Sequence, residues 1–104
     1  MANYVLAYTG GGMAQTDAER EAAMAAWGRW FGELGSAIVD AGNPFGPSTS
    51  VSSSGANGAA ETGLTGYSIL TADSLDAAAN LAKGCPVFAD GGKVDVYEAI
   101  PIEM

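Results

Sequence analysis

The sequence predicts a single α+β domain of the ferredoxin-like βαββαβ type over residues 1–104. The first observation is periodicity, because strand-like and helix-like hydrophobic patterns alternate in the order strand, helix, strand, strand, helix, strand. The second is composition: 48% of the residues are apolar, which is enough for one compact core at this length. This order predicts a four-stranded antiparallel sheet with both helices on one face.

The first strand is predicted over residues 3–9 (NYVLAYT), where apolar side chains occupy both alternating sets of positions. Gly10-Gly11-Gly12 ends this strand and opens a loop. A phosphate-binding loop is disfavoured, because Gln15 stands where the G-x-G-x-x-G pattern needs its third glycine. We therefore expect a flexible loop, with a lid over the mouth of a barrel as the functional alternative.

The first helix begins at a capping box, Thr16-Asp17-Ala18-Glu19. Spacings of three and four residues place an apolar stripe on one side of the helix, formed by Met24, Trp27, Phe31, Leu34 and Ile38. We expect Trp27 to pack in the core and Trp30, at the edge of the stripe, to line a cleft or a subunit contact. Ala41-Gly42-Asn43-Pro44 is expected to end the helix.

The second strand is predicted over residues 48–53 (STSVSS), a polar and β-prone segment that reads as a sheet edge. Residues 55–63 are glycine-rich and predict a hairpin connection. The third strand is predicted over residues 64–71 (LTGYSILT), again with apolar residues on both faces.

The second helix is predicted to start at a cap supplied by Asp73 or Ser74 and to end at Gly84. Its apolar positions are Leu75, Ala78, Leu81 and Ala82. Cys85 follows this helix and is expected to be a packed, unreactive thiol. The last strand is predicted over residues 93–100 (KVDVYEAI), before Pro101.

A packing problem follows from this arrangement. Two helices cover one face of the sheet, yet the first and third strands are apolar on both faces. A second copy of the same sheet is the simplest cover for the other face. The sequence therefore predicts a homodimer with two sheets face to face.

Charge and composition exclude several classes of partner. Twelve acids against four bases give a net charge of −8, which disfavours nucleic acid and anionic membrane surfaces as partners. The chain has no histidine, so Ser-His-Asp and Cys-His nucleophiles are absent, and we expect no bound metal and no cofactor. Its start lacks the basic and apolar regions of a signal peptide, and its one cysteine suits a reducing compartment, so we expect a cytoplasmic protein.

Five stretches resemble the YCII-related domain family, which overlaps the DGPF-domain proteins: YVLAY (4–8), MAAWGRW (24–30), DAGNPF (40–45), GYSI (66–69) and ADSLDAAANLAKGCPVFADGG (72–92). The resemblance implies a dimeric α+β barrel. Enzyme-like members use a histidine on the first helix and an aspartate about two turns later, whereas this chain has Trp27 and Ser36 there. The DGPF signature is also missing, and residues 55–63 occupy its place.

Three functions remain open. The first is a homodimeric, YCII-like, small-molecule-binding protein without histidine-based catalysis, whose cleft residues would be Tyr8, Trp30, Asn43, Phe45 and Tyr67. The second is a lyase or isomerase that uses Asp40 or Tyr67 as the acid or base. The third is a protein-interaction module, since some DGPF-type relatives are associated with transcription initiation factors. Without a histidine, the enzyme is the less favoured of the first two.

Overall fold

The computed structural model describes residues 1–10, 16–56 and 58–102. Along the chain its elements are β1 (Ala2–Thr9), α1 (Asp17–Leu34), β2 (Ile38–Asp40), β3 (Val51–Ser52), β4 (Gly55–Ala56), β5 (Leu64–Ala72), α2 (Leu75–Ala82) and β6 (Lys93–Ala99). Four strands form the main antiparallel sheet in the order β2-β5-β1-β6. The predicted α+β class with two helices and a four-stranded antiparallel sheet is confirmed, and it is compatible with a ferredoxin-like fold.

The core lies between the sheet and the two helices. Leu6 and Tyr8 of β1 pack with Trp30 of α1 and Ala82 of α2. Tyr4, on the same face of β1, packs with Ala78 of α2. Because alternate residues of a strand share a face, these contacts place both helices on one side of the sheet.

Side-chain caps start both helices where the sequence predicts them. The Thr16 hydroxyl accepts a hydrogen bond from the backbone N–H of Glu19 at 3.1 Å. The Ser74 hydroxyl accepts one from the backbone N–H of Ala77 at 3.0 Å, so Ser74 and not Asp73 is the cap of α2. Each cap satisfies an amide group that has no partner within its helix.

The first helix ends earlier than predicted. It stops at Leu34, and a 3-10 turn over Gly35–Ala37 leads directly into β2. Gly35 has a φ of 56°, and its N–H donates to the carbonyl of Phe31, so the chain leaves the helical path there. Ile38 continues the helical spacing of apolar residues, but it contributes to the core from a strand.

The predicted second strand over residues 48–53 is wrong. The short strand β2 occupies the sheet edge beside β5, and Val51–Ser52 instead pairs with Gly55–Ala56 in a separate two-stranded sheet. The polar segment has no apolar face to bury, whereas Ile38 packs on the core from β2. The predicted hairpin connection, 55–63, therefore begins with strand residues.

The predicted position of Trp30 at a cleft or subunit contact is wrong, whereas Trp27 packs against the core as predicted but only in part. Trp30 is only 4% exposed, and its indole Nε1–H donates to the carbonyl oxygen of Leu81 at 3.3 Å. Trp27 is half-buried and packs edge-on against Tyr8, with ring centroids 5.1 Å apart. Met24, predicted in the apolar stripe, is 70% exposed. The covered face of α1 is therefore rotated toward Trp30.

Gly84 explains part of this rotation. A Cβ atom at Gly84 would lie 3.1 Å from Cδ1 and Nε1 of Trp30, so the missing side chain lets the indole approach the turn after α2. Helix α2 itself ends at Ala82, with Lys83 as its C-cap. Gly84 thus serves close packing more than helix termination.

The predicted lid lies largely outside the described residues. Gly10 is described, with a φ of 70°, while Gly11 and Gly12 fall in the first undescribed segment. Neither helix of the described residues combines the length and the apolar character needed to cross a membrane.

Candidate functional site

The sheet has a face that no helix of the described chain covers. Besides polar residues such as the ion pair of Lys93 with Asp95, it carries five aromatic or aliphatic residues that alternate with the core positions of β1, β5 and β6: Val5, Ala7, Tyr67, Ile69 and Tyr97. We call these five residues the open face. Val5 is paired with Ile69 on one side and with Tyr97 on the other. Tyr97 is 60% exposed, Val5, Tyr67 and Ile69 are half-buried, and Ala7 is buried, so the open face presents part of its aromatic and aliphatic surface to the solvent.

The chain after β2 continues along β5 without forming a regular strand. The N–H of Phe45 donates to the carbonyl of Thr65 at 2.9 Å, and the N–H of Tyr67 donates to the carbonyl of Asn43 at 3.3 Å. Gly42 makes this close approach possible. It has a φ of 79°, and a Cβ atom there would lie 1.7 Å from the carbonyl oxygen of Tyr67.

These backbone contacts bring a carboxylate and two aromatic rings together. The rings of Phe45 and Tyr67 stack at a centroid distance of 5.7 Å and an interplanar angle of 20°. The Tyr67 hydroxyl donates a long hydrogen bond, 3.4 Å, to Oδ2 of Asp40, while Oδ1 of Asp40 accepts from the N–H of Gly42 at 2.9 Å. We call Asp40, Asn43, Phe45 and Tyr67 the edge site, because they lie where the sheet meets β2.

A shallow groove adjoins the edge site. It has a volume of about 280 Å³ and shares Phe45 with the edge site, and it is also lined by the segment 46–48 and by Leu64. Its remaining lining residues are Ala60, Thr62 and Gly63. The N–H of Ala60 donates to the Ser48 hydroxyl at 3.1 Å and ties the two sides of the groove together. Its volume is at the lower limit for small-molecule sites, so only a small ligand fits.

Two of the five predicted cleft residues lie elsewhere. Tyr8 and Trp30 are buried beneath the helices, on the opposite side of the sheet from the edge site. The register explains the separation: Tyr8 pairs with Gly66, whereas Tyr67 pairs with Ala7, so the two tyrosines point to opposite faces. Asn43, Phe45 and Tyr67 are brought together, and Asp40 joins them.

A buried hydrogen-bond chain holds Tyr8. Its hydroxyl donates to Oγ of Ser68 at 2.7 Å, and Ser68 donates in turn to the carbonyl oxygen of Ala41 at 2.6 Å. Burial raises the pKa of the Tyr8 phenol well above its ordinary value, and this effect exceeds the lowering by the hydrogen bond with Ser68. Because the Tyr8 phenol is neutral and hydrogen-bonded within the core, it contributes to the fold and not to a binding site.

Cys85 is a packed thiol, as predicted. It is buried in the same core cluster as Tyr8, and burial raises its pKa to about 11, against the lowering by its hydrogen bonds with the Val87 backbone and Tyr8. A thiol that holds its proton at neutral pH is a poor nucleophile. Cys85 is therefore no candidate for covalent catalysis.

Sequence reasoning missed two residues that shape this region. Ser68 is a polar residue at a core position of an apolar strand, which signals a buried hydrogen bond. Gly42 precedes Asn43-Pro44, and a glycine at such a position signals a positive φ or a close backbone approach. Apart from its glycine content, nothing in the sequence of the segment 58–64 indicated that its residues line a groove.

Comparisons with protein-family models, curated proteins and solved structures give no match for this chain. The resemblance to the YCII-related family stays a prediction. Across the described ranges, no group of three or more His, Cys, Asp or Glu side chains is placed to hold a metal ion.

Proposed function

We propose that this chain is a small-molecule-binding protein that acts as a homodimer and uses no histidine-based catalysis. In this dimer the two sheets face each other across their open faces, as in dimeric α+β barrels. The edge site and its groove bind the ligand. One observation carries the proposal: the sheet is covered by helices on one side, while its other side presents Ile69 and Tyr97 and the stacked rings of Tyr67 and Phe45.

The covering surface is best supplied by a second copy. The open face is apolar in its centre, where Val5 lies between Ile69 and Tyr97. Burial of such a surface contributes roughly 25 cal/mol per Å² of apolar area. A second copy presents the same apolar centre in the same strand geometry, so a twofold contact is self-complementary.

Light scattering tests the dimer. We expect wild-type protein at 50 µM to have twice the mass of the chain. Tyr97→Glu places a charge on the open face and should yield monomer, because an unpaired charge is costly to bury between two sheets. Met24→Glu is the matched control: it is the same kind of change on the exposed side of α1 and should stay dimeric. A monomeric wild type would refute the dimer.

A thermal-shift screen against a metabolite library tests ligand binding. We expect at least one small compound to raise the melting temperature of the wild-type protein. The shift should be reduced by Phe45→Leu, which removes one ring of the stacked pair, and retained by Phe88→Leu, an exposed phenylalanine outside the edge site. If no compound raises the melting temperature, or if both variants respond alike, the edge site is not a binding site.

A second candidate function is an enzyme of the lyase or isomerase type. The observation that favours it is the contact between the Tyr67 hydroxyl and the Asp40 carboxylate, which could move a proton to or from a ligand held at the aromatic pair. Substitution separates the two functions. Asp40→Asn and Tyr67→Phe should both abolish turnover of a bound compound if it is a substrate, whereas a binding protein leaves the compound chemically unchanged.

A further inference from the structure

We infer that the edge site selects small organic cations, that is, compounds with an ammonium or guanidinium group attached to a compact apolar body. The inference rests on the proposed binding function and narrows its ligand class. It is carried by the juxtaposition of the uncompensated carboxylate of Asp40 with the stacked rings of Phe45 and Tyr67.

The carboxylate of Asp40 has no cationic partner in the described part of the chain. Its two oxygens accept hydrogen bonds from the N–H of Gly42 and the hydroxyl of Tyr67, and no lysine or arginine lies within ion-pair distance. Lys93, which projects from the same side of the sheet, pairs with Asp95 at 3.8 Å. The negative charge at the edge site is therefore available to a ligand.

The aromatic pair supplies the second element of cation recognition. Aromatic ring faces attract cations, and groups of aromatic rings form the usual sites for quaternary ammonium ligands. Phe45 is 46% exposed, so its ring is accessible from the groove. Backbone hydrogen bonds between the segment 43–45 and β5 hold both rings in place before a ligand arrives, which lowers the entropic cost of binding.

Two properties of the whole chain act in the same direction. The net charge of −8 attracts cations and repels carboxylates and phosphates over distances of about a Debye length. In the proposed dimer, Tyr67 lies in the contact between the two sheets, so the Asp40 carboxylate beside its hydroxyl loses part of its hydration, which is costly for a charge without a cationic partner. A cationic ligand relieves that cost, whereas an anionic one increases it.

Isothermal titration with three probes of similar size tests the inference: benzyltrimethylammonium chloride, benzyl alcohol and sodium benzoate. We expect wild-type protein to bind the cation at least fivefold more tightly than either other probe. Raising the salt concentration from 20 to 300 mM should weaken the binding of the cation and leave that of the alcohol unchanged.

Three variants locate the binding. Asp40→Asn keeps the acceptor for the Gly42 N–H and removes the charge, so the cation should bind about three- to fivefold more weakly while the alcohol is unaffected. Phe45→Leu should weaken the binding of the cation by a similar factor. Glu33→Gln, a remote exposed acid on α1 that also reduces the net charge by one, is the control and should bind like wild type.

The possible failures are distinguishable from failure of the proposed function. If benzoate or benzyl alcohol binds as tightly as the cation, or if Asp40→Asn and Glu33→Gln behave alike, cation selection is refuted while a ligand-binding dimer remains. Absence of binding by all three probes also refutes cation selection. In that case the metabolite screen and the light-scattering measurement decide separately whether the proposed function stands.

Discussion

At the scale of single residues, the polar groups of this protein divide between two sides of one sheet. Tyr8, Ser68 and Cys85 lie under the helices, where burial keeps Tyr8 and Cys85 protonated and a hydrogen bond joins Tyr8 to Ser68. Asp40 and Tyr67 lie on the other side, where a ligand can reach them. The buried groups serve stability, and only the second group is placed for binding.

Gly42 is the residue whose replacement should damage the edge site most. Gly42→Ala combines a positive φ with a Cβ atom 1.7 Å from the carbonyl of Tyr67, so we expect a loss of more than about 2 kcal/mol in the free energy of unfolding. Gly91→Ala, with the same φ of 79° in the left-handed region and open space around the added Cβ, should cost about 1 kcal/mol from backbone strain alone. Urea unfolding measures both, and equal losses would contradict the predicted clash.

The buried thiol predicts a loss of stability at alkaline pH. Cys85 keeps its proton up to about pH 11 in the folded protein, against an ordinary pKa of 9.0. Between these pH values the thiol is ionised in the unfolded chain and protonated in the folded one. Its contribution to the free energy of unfolding is therefore fully present below pH 9 and is lost as the pH rises toward 11. The fall approaches about 1.4 kcal/mol per pH unit at most.

Comparison with Cys85→Ala tests this contribution. Urea unfolding of both proteins at pH 7.5, 9, 10 and 10.5 should show the stability advantage of wild type shrinking as the pH rises. The pKa of Tyr8 is also raised, in part by Cys85, so the difference between the two proteins contains the coupling of Cys85 with Tyr8 as well as the ionisation of the thiol. A pH-independent difference would show that the thiol is not protected from ionisation.

At the scale of elements, α1 is joined to the rest of the core mainly by its aromatic residues. Trp27, Trp30 and Phe31 contact one another with centroid distances of 5.3 to 5.8 Å. Trp30 also reaches the end of α2 through its hydrogen bond with the carbonyl of Leu81. The two helices are thereby connected on one face of the sheet.

Truncation of the two tryptophans should therefore have unequal effects. Trp30→Ala removes a nearly fully buried indole and its hydrogen bond, and we expect a loss of about 3–5 kcal/mol in the free energy of unfolding. Trp27→Ala should cost clearly less, because Trp27 is only half-buried. Equilibrium denaturation followed by circular dichroism measures both. A larger loss for Trp27 would contradict the observed orientation of α1.

At the scale of the whole molecule, the proposed dimer links stability to concentration. A dimer that is stabilised by its own association melts at a higher temperature when more protein is present. We expect a tenfold increase in wild-type concentration to raise the melting temperature by about 3 °C. The melting temperature of Tyr97→Glu should be independent of concentration, and scanning calorimetry at two concentrations decides the matter.

Much of the fold was predictable because local rules and packing agree. The strands at 64–72 and 93–99 and the caps at Thr16 and Ser74 follow directly from periodicity and capping chemistry. The end of α1 was not predictable from periodicity, because Ile38 satisfies both a helical spacing and a core-facing strand. The glycine at position 35 resolves the ambiguity through its positive φ, which the sequence alone does not reveal.

The candidate site was likewise predictable in part from the sequence and in part only from the tertiary structure. Residue types alone indicated Asp40, Asn43, Phe45 and Tyr67, and they indicated Tyr8 and Trp30 equally strongly, because an aromatic side chain suits a cleft and a core alike. Composition was sufficient to establish an acidic chain without histidine, and periodicity established a sheet with two apolar faces. The pairing register and the orientation of α1 then assigned each aromatic residue to the core or to the edge site. These depend on contacts between residues far apart in the chain, which local patterns do not encode.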